Sequence, residues 1–271
     1  MTENPAPAAL RIDDLRRARA SARLGHTILY FESIDSTNTA AQRSAADGAA
    51  EGTVVIAESQ TKGRGRLGRS WVSPPFRNLY LSVVLRPPIA AAAAPQIALV
   101  AGVAAVDAAR HWAPHAAVKW PNDVVIDGRK LAGILAEMDA DAERVRSVIV
   151  GIGVNLNTTA ADFPSDLRDK AIGLRTAVGH PVDRVDFTDR LLSRLEEHYD
   201  LFVRRGFAAI RPLWEARASL TGRRVRIDAP AQQVEGTVIG LGDDGALLLR
   251  DAAGTDVRVL VGDVTVEGGY G

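Results

Sequence analysis

The chain has 271 residues, 46% of them hydrophobic, and its 33 basic and 33 acidic side chains cancel to a formal net charge of zero. That length can bury a sizeable core in one large domain or in a large and a small one, and the charge balance excludes a chain-wide electrostatic footprint for a polyanion. There is no cysteine, which removes disulfides, thiolate metal sites and cysteine nucleophiles together, and the five histidines form no H-E-x-x-H metal motif.

The start, Met1-Thr2-Glu3-Asn4-Pro5, lacks the basic residues and apolar run of an export signal, so the cytoplasm is the expected location. Behind a Pro/Ala stretch, residues 8–24 predict a charged amphipathic helix, and residues 1–24 form an N-terminal extension too short for a domain. A strand is expected at 28–31. Ser36-Thr37-Asn38 in front of residues 40–46, with Gly48 behind, predict a short capped helix. The apolar run 54–57 predicts a strand that delivers the chain through Gln60 into Gly63-Arg64-Gly65-Arg66-Leu67-Gly68-Arg69-Ser70-Trp71.

That segment carries the most information. Glycines let backbone amides approach an anion, each guanidinium offers a planar fork of donors matched to phosphate or carboxylate oxygens, and Trp71 offers a face on which a base could stack. The glycines fit G-x-G-x-x-G, but no helix opens there and no acidic residue stands about twenty positions later, as a dinucleotide fold requires. No G-x-x-x-x-G-K-[ST] occurs either. An arginine arm for a DNA minor groove and a solvated surface loop remain as rivals. Three glycines and three like charges also predict a loop that is mobile without a ligand.

Residues 79–85 read as a strand. Residues 89–109 are apolar enough to raise a membrane span, but Ile97, Val100, Val103 and Val106 recur every third position, which predicts a core helix. Next comes Lys119-Trp120-Pro121-Asn122-Asp123, then a hairpin around Asp127-Gly128. A regular ladder pairs Ile126 with Arg129, Val125 with Lys130 and Asp123 with Ala132, which puts Asp123 and Lys130 on one face about 7–8 Å apart. The chain has only four lysines, at 62, 119, 130 and 170, and three of them fall here or at the edge of the Gly-Arg segment: Lys119, Lys130 and Lys62. Residues 148–157 predict a strand with Gly151, Gly153 and Asn155 on one face, approached by a ligand or by a packed helix. A helical pattern runs over 186–214. From residue 219 to 271 short strands at 225–227, 234–239, 246–249 and 257–261 predict a small β-barrel with no catalytic residue, leaving 25–218 as the main domain.

Residues 63–71, 119–123, 129–133 and 151–155, in that order with Ser36-Thr37-Asn38 upstream, resemble the biotin protein ligases, or biotin–[acetyl-CoA-carboxylase] ligases, over roughly residues 25–271. The resemblance implies an α+β fold with a mixed, largely antiparallel sheet and flanking helices, followed by an SH3-like barrel. It implies activation of biotin by ATP and Mg²⁺ to biotinyl-5′-adenylate, then transfer to a lysine of a biotin carboxyl carrier protein domain of acyl-CoA carboxylases. By the same resemblance Ser36, Thr37, Asn38 and Gln60 hold the ring of biotin, and Arg64, Gly65, Arg66 and Gly133 follow its tail. Lys130 bridges its carboxyl group and the phosphates, and Arg66 and Lys130 are the catalytic pair. Arg64, Arg66, Arg69, Trp71, Asn122, Lys130 and Asn155 border the nucleotide, and Asp123 places Mg²⁺. Leu67 stands where many relatives carry another basic residue. About 25 leading residues are too few for the winged helix-turn-helix of the repressor forms, so neither DNA binding nor a membrane is expected, and a monomer or weak homodimer is. A lipoate or octanoate ligase of the same fold is the nearest alternative, and a nucleic-acid-binding regulator without catalysis the more distant one.

Overall fold

Short apolar runs between turn residues become the strands of a seven-stranded sheet, and alternate side chains on them feed two separate cores. The computed structural model describes residues 8–141, 144–229 and 233–266, so the Pro/Ala start before residue 8 lies outside them. The sheet comprises β1 (Ile28–Ile34), β2 (Val54–Gln60), β3 (Leu79–Leu85), β4 (Ala117–Lys119), β5 (Asp123–Ile126), β6 (Arg129–Ala140) and β7 (Val145–Val154), in the spatial order β1-β2-β3-β7-β6-β5-β4. Only β1 and β2 run parallel, as a mixed, largely antiparallel sheet requires.

Helices cover both faces. On one side lie α1 (Ile12–Ala18), α3 (Gln96–Ala109) and α5 (Arg184–Arg205), packed with Val54, Ile56, Val83, Val150 and Ile152 in the larger core. On the other, α2 (Thr37–Ala46) presents Ala40, Ala41 and Ala45 to Val55, Val84 and Ile149. The period-two alternation assigns Gly151 and Gly153 to this second face. Ala91–Ala109 is the segment of the described residues that is long and apolar enough to cross a membrane, and 67% of it is buried inside the fold, as expected of a core helix.

Several details depart from the sequence reading, beginning with the first helix, which spans Ile12–Ala18 rather than residues 8–24. Helix α2 begins at Thr37, so Thr37 and Asn38 belong to its first turn and only Ser36 sits at the cap position. The helix expected to reach Trp214 ends at Arg205, because Gly206 adopts φ 70, and two short helices follow it: a 3₁₀ turn at Phe207–Ala209 and α6 (Arg211–Glu215). A five-residue helix, α4 (Leu174–Val178), was not foreseen. The hairpin turn is of the expected kind, with Asp127 at φ 48 and Gly128 at φ 73, but a bulge between Val124 and Val125 shifts the register so that Asp123 faces Gly133, not Ala132.

The tail folds as a five-stranded antiparallel sheet: β8 (Arg224–Asp228), β9 (Gln233–Leu241), β10 (Leu247–Arg250), β11 (Asp256–Val259) and β12 (Asp263–Val266), consistent with the SH3-like unit. Strand β12 escaped the pattern because Asp-Val-Thr-Val is too short and too polar to stand out. The tail joins the larger core through Val225, Leu247 and Leu249, and Trp120 Nε1 donates to the Gly245 carbonyl at 3.1 Å.

Candidate active site

The Gly-Arg segment is a small hairpin. Gly65 N donates to the Arg69 carbonyl at 2.7 Å and Trp71 N to the Gly63 carbonyl at 2.9 Å, with the turn at Leu67 (φ 55) and Gly68 (φ 73). Its arginines diverge to three partners: Arg64 to Glu137 at 3.1 Å, Arg66 to the Asn122 side-chain oxygen at 3.2 Å, and Arg69 to Asp263 of β12. Arg64 and Arg69 each face a carboxylate, which offsets part of the repulsion that the sequence suggests, while the Arg66 partner is a neutral amide oxygen. Leu67, in place of a further basic residue, is 65% exposed.

Glycines make the floor. Gly133 and Gly153 are directly paired across β6 and β7, and the Trp71 indole lies over them so closely that a Cβ on Gly153 would fall 2.5 Å from Trp71 Cε2, and one on Gly133 2.9 Å from Cζ3. Gly151 is covered by the Asn38 amide in the same way. The occupants of this glycine face are thus a tryptophan from the hairpin and an asparagine from α2. Trp71 Nε1 is buried with no hydrogen-bond partner among the described residues, and Lys130 Nζ stands 5.5 Å from the ring centroid.

At the hairpin end of the cavity, Lys130 Nζ lies 2.7 Å from Asp123 Oδ1. That oxygen is buried and accepts no aligned hydrogen bond. Lys119 pairs with Asp123 across β4 and β5, so its side chain shares the face, and burial pushes its ammonium below the usual lysine value. Burial likewise lowers the Arg66 guanidinium. Asn155 Nδ2 reaches the Lys130 carbonyl at 3.3 Å.

The opposite end is polar and closed. Ser36, Thr37 and Asn38 are buried, Thr37 N and Oγ1 both contact Gln60 Oε1, at 2.9 and 3.1 Å, and Gln60 Nε2 donates to Ser73 Oγ at 3.2 Å.

A cavity of about 380 Å³ connects these parts. Every residue that the sequence assigns to binding lines it: Ser36, Thr37, Asn38, Gln60, Arg64, Gly65, Arg66, Arg69, Trp71, Asn122, Asp123, Lys130, Gly133 and Asn155. Lining residues not assigned there include Lys119, Phe163, Leu167, Lys170 and Asp263. The scarcity of lysine was a signal for Lys119; Lys170 stands outside the motif segments and had none, nor had Asp263, some two hundred residues from the hairpin it touches. Six cations face two carboxylates around this opening, so a neutral chain concentrates positive charge where a polyphosphate could sit.

Comparison with known proteins agrees with this geometry. The family model described as the biotin/lipoate A/B protein ligase family matches residues 30–155, and that of the biotin protein ligase C-terminal domain matches residues 220–266. A biotin–[acetyl-CoA-carboxylase] ligase of Paracoccus denitrificans is 39% identical over 230 residues, covering 82% of this chain and 94% of that protein. A bifunctional ligase/repressor of Bacillus spizizenii is 38% identical over 249 residues, covering 92% of this chain and 77% of its own length. Among solved structures, the Aquifex aeolicus biotin protein ligase in complex with biotin and ATP superposes with a TM-score of 0.76 at 28% identity, covering 89% of this chain and 98% of the other.

Proposed function

The chain belongs to the biotin/lipoate A/B protein ligase family, and on that footing we propose that it activates biotin with Mg-ATP to biotinyl-5′-adenylate and passes biotin to a lysine of a biotin carboxyl carrier protein domain of an acyl-CoA carboxylase. The observation that carries the reading is one cavity with a buried polar end and a cationic mouth, joined by the Trp71-covered glycine floor.

In the first step a biotin carboxylate oxygen attacks the α-phosphorus and pyrophosphate leaves. Two anions must meet, so the protein's task is charge and alignment rather than a nucleophile of its own. Thr37 and Gln60 hold the ureido ring, and Arg64 and Arg66 follow the tail. Lys130, beside Asp123, bridges the carboxylate and the phosphate oxygens. Arg69, Lys119 and Lys170 draw in the triphosphate, while Phe163 and Leu167 give the cavity an apolar wall suited to a base. In the second step the acceptor lysine, as a free amine, attacks the acyl carbon; AMP leaves and the amide nitrogen sheds its proton. Asp123 fits a Mg²⁺ ion, since its carboxylate lines the cavity among the cations that would hold the phosphates and this cation needs one or two carboxylates when water and phosphate oxygens complete its shell. Bound there, Mg²⁺ would neutralise charge on the phosphates. We propose residues 25–218 as the catalytic domain and 219–271 as a second domain that reaches the site through Asp263.

The polar set at Thr37 and Gln60 favours a ureido ring over a lipoyl or octanoyl chain. Pyrophosphate release with biotin, lipoate and octanoate in parallel, followed by the mass shift of a carrier domain, tests this. Release with biotin alone is expected, and release only with a fatty acid overturns it.

Two further outcomes follow from the cations. Asp263→Ala frees Arg69 from the second sheet. The KM for ATP rises about two- to fivefold, the scale of an exposed pair worth up to ~1 kcal/mol, while biotin affinity and melting temperature hold. Steady-state kinetics and a thermal melt read this. Lys119, with its ammonium lowered by burial, loses its charge at a lower pH than an exposed lysine. The KM for ATP therefore climbs on alkalinisation before an ordinary lysine would titrate, and Lys119→Arg flattens that rise in a pH profile.

A further inference from the structure

Glu137 lies on β6 beside the cavity, and its carboxylate holds two of the cavity's residues at once. Its Oε2 accepts from Asn38 Nδ2 at 2.6 Å and from Arg64 Nη2 at 3.1 Å. A carboxylate only accepts, as does the Leu135 carbonyl 3.3 Å from the same Nδ2, so the Asn38 amide has one orientation: its NH₂ toward Glu137 and its carbonyl away, with the Glu137 contact the shorter and charge-assisted one. That carbonyl oxygen meets Ser82 Oγ at 2.6 Å and has no proton to give, so the single Ser82 hydroxyl proton is committed to it. Ser82 Oγ also lies 2.8 Å from Thr37 Oγ1. With its own proton used, it can only accept there, and Thr37 donates. This contact is shorter than the 3.1 Å from Thr37 Oγ1 to Gln60 Oε1, so it takes the proton and leaves the Thr37 oxygen with lone pairs to offer.

We propose that Glu137 is a positioning residue that sets the direction of this hydrogen-bond chain, so that Thr37 accepts from a ureido N–H, while its second contact keeps Arg64 over the ligand's tail. The inference rests on the biotin reading above. The links beyond Glu137 are buried: Asn38 and Thr37 are each 4% exposed and Ser82 is 0% exposed, whereas the Glu137 side chain is 26% exposed. At Ser82 water cannot repair a reversed link, and in such surroundings a mismatched donor or acceptor is costly. Gly151 holds the Asn38 amide in place from below, since a Cβ there would collide with its oxygen.

Titration calorimetry with biotin alone tests this on the full chain. Glu137→Gln keeps the shape but can donate as well as accept, so only the longer bond to the Leu135 carbonyl still orients Asn38. The Kd for biotin is expected to rise about tenfold, with the Kd for ATP unchanged, and Glu137→Asp recovers part of the loss. Ser82→Ala breaks the chain without touching Arg64. It is expected to weaken biotin similarly, and Glu137→Gln on that background adds less than it does alone. The inference falls if Glu137→Gln binds biotin as the wild type does, or if the two losses add in full. A wild-type chain that binds no biotin overturns the parent reading with it.

Discussion

Lys130→Ala slows pyrophosphate release from biotin and Mg-ATP by about ten- to a hundredfold, while the protein melts close to the wild-type temperature. The ammonium lies 2.7 Å from Asp123 and beside the Trp71 ring, at the junction of the polar end and the cationic mouth. A carboxylate approaching a phosphate there meets repulsion that a compact point charge can relieve on both partners at once. Removing one charge-assisted hydrogen bond made in the transition state costs about 1.5–3 kcal/mol, which is the stated rate loss. Stability changes little because the Lys130 side chain is 36% exposed and a pair of that kind contributes at most about 1 kcal/mol. Arg66→Ala belongs with it: that guanidinium is partly buried and donates to the Asn122 oxygen. Lys130→Arg does not rescue, since a planar fork replaces a point charge in a space closed by the Trp71 ring. Wild-type turnover in a well-folded Lys130→Ala protein would refute the assignment.

What the sequence disclosed and what it withheld follow from the range of the forces involved. Turn chemistry is local, so Asp127-Gly128 announced its hairpin and Gly48 its helix end. Strand alternation is local too, and it placed Gly151, Gly153 and Asn155 on one face before any coordinates did. The bulge at Val124/Val125 was not legible, because an extra residue in a ladder leaves the apolar pattern intact while changing what faces Asp123. Nor was the use of that glycine face. A gap in a strand shows that something approaches, and only the fold shows that Trp71 and Asn38 do. Glu137 and Asp263 were invisible for a related reason: their importance lies in partners 73 and 194 residues away, with no motif around either. Asp263 lines the same cavity as the motif residues and Glu137 stands beside it, so the motifs alone outlined the cavity without these two supports.

Gly153→Ala is the second large effect, and it acts through the ring rather than through the strand. The backbone of Gly153 is not left-handed, so alanine is tolerated there, and the lower entropy of the unfolded chain offsets part of any strain. The added methyl, however, falls 2.5 Å from the Trp71 indole, and the paired Gly133 offers no way to slide sideways, its own Cβ position being 2.9 Å from the same ring. The indole must lift. Because Trp71 N is tied to the Gly63 carbonyl, the hairpin carrying Arg64 and Arg66 lifts with it. The expected result is a fall of more than about tenfold in kcat/KM for ATP and for biotin, equivalent to over ~1.4 kcal/mol. Melting shifts little. Trp71→Ala separates the ring's contribution from the clash: it should lose activity by a similar factor, and the double variant should be no worse than Trp71→Ala alone, since the methyl then has nothing to displace. Steady-state kinetics on the three variants decide it. Full additivity of the two losses would mean that Gly153 serves something other than the tryptophan, and the glycine floor would have to be reassigned to direct contact with the ligand.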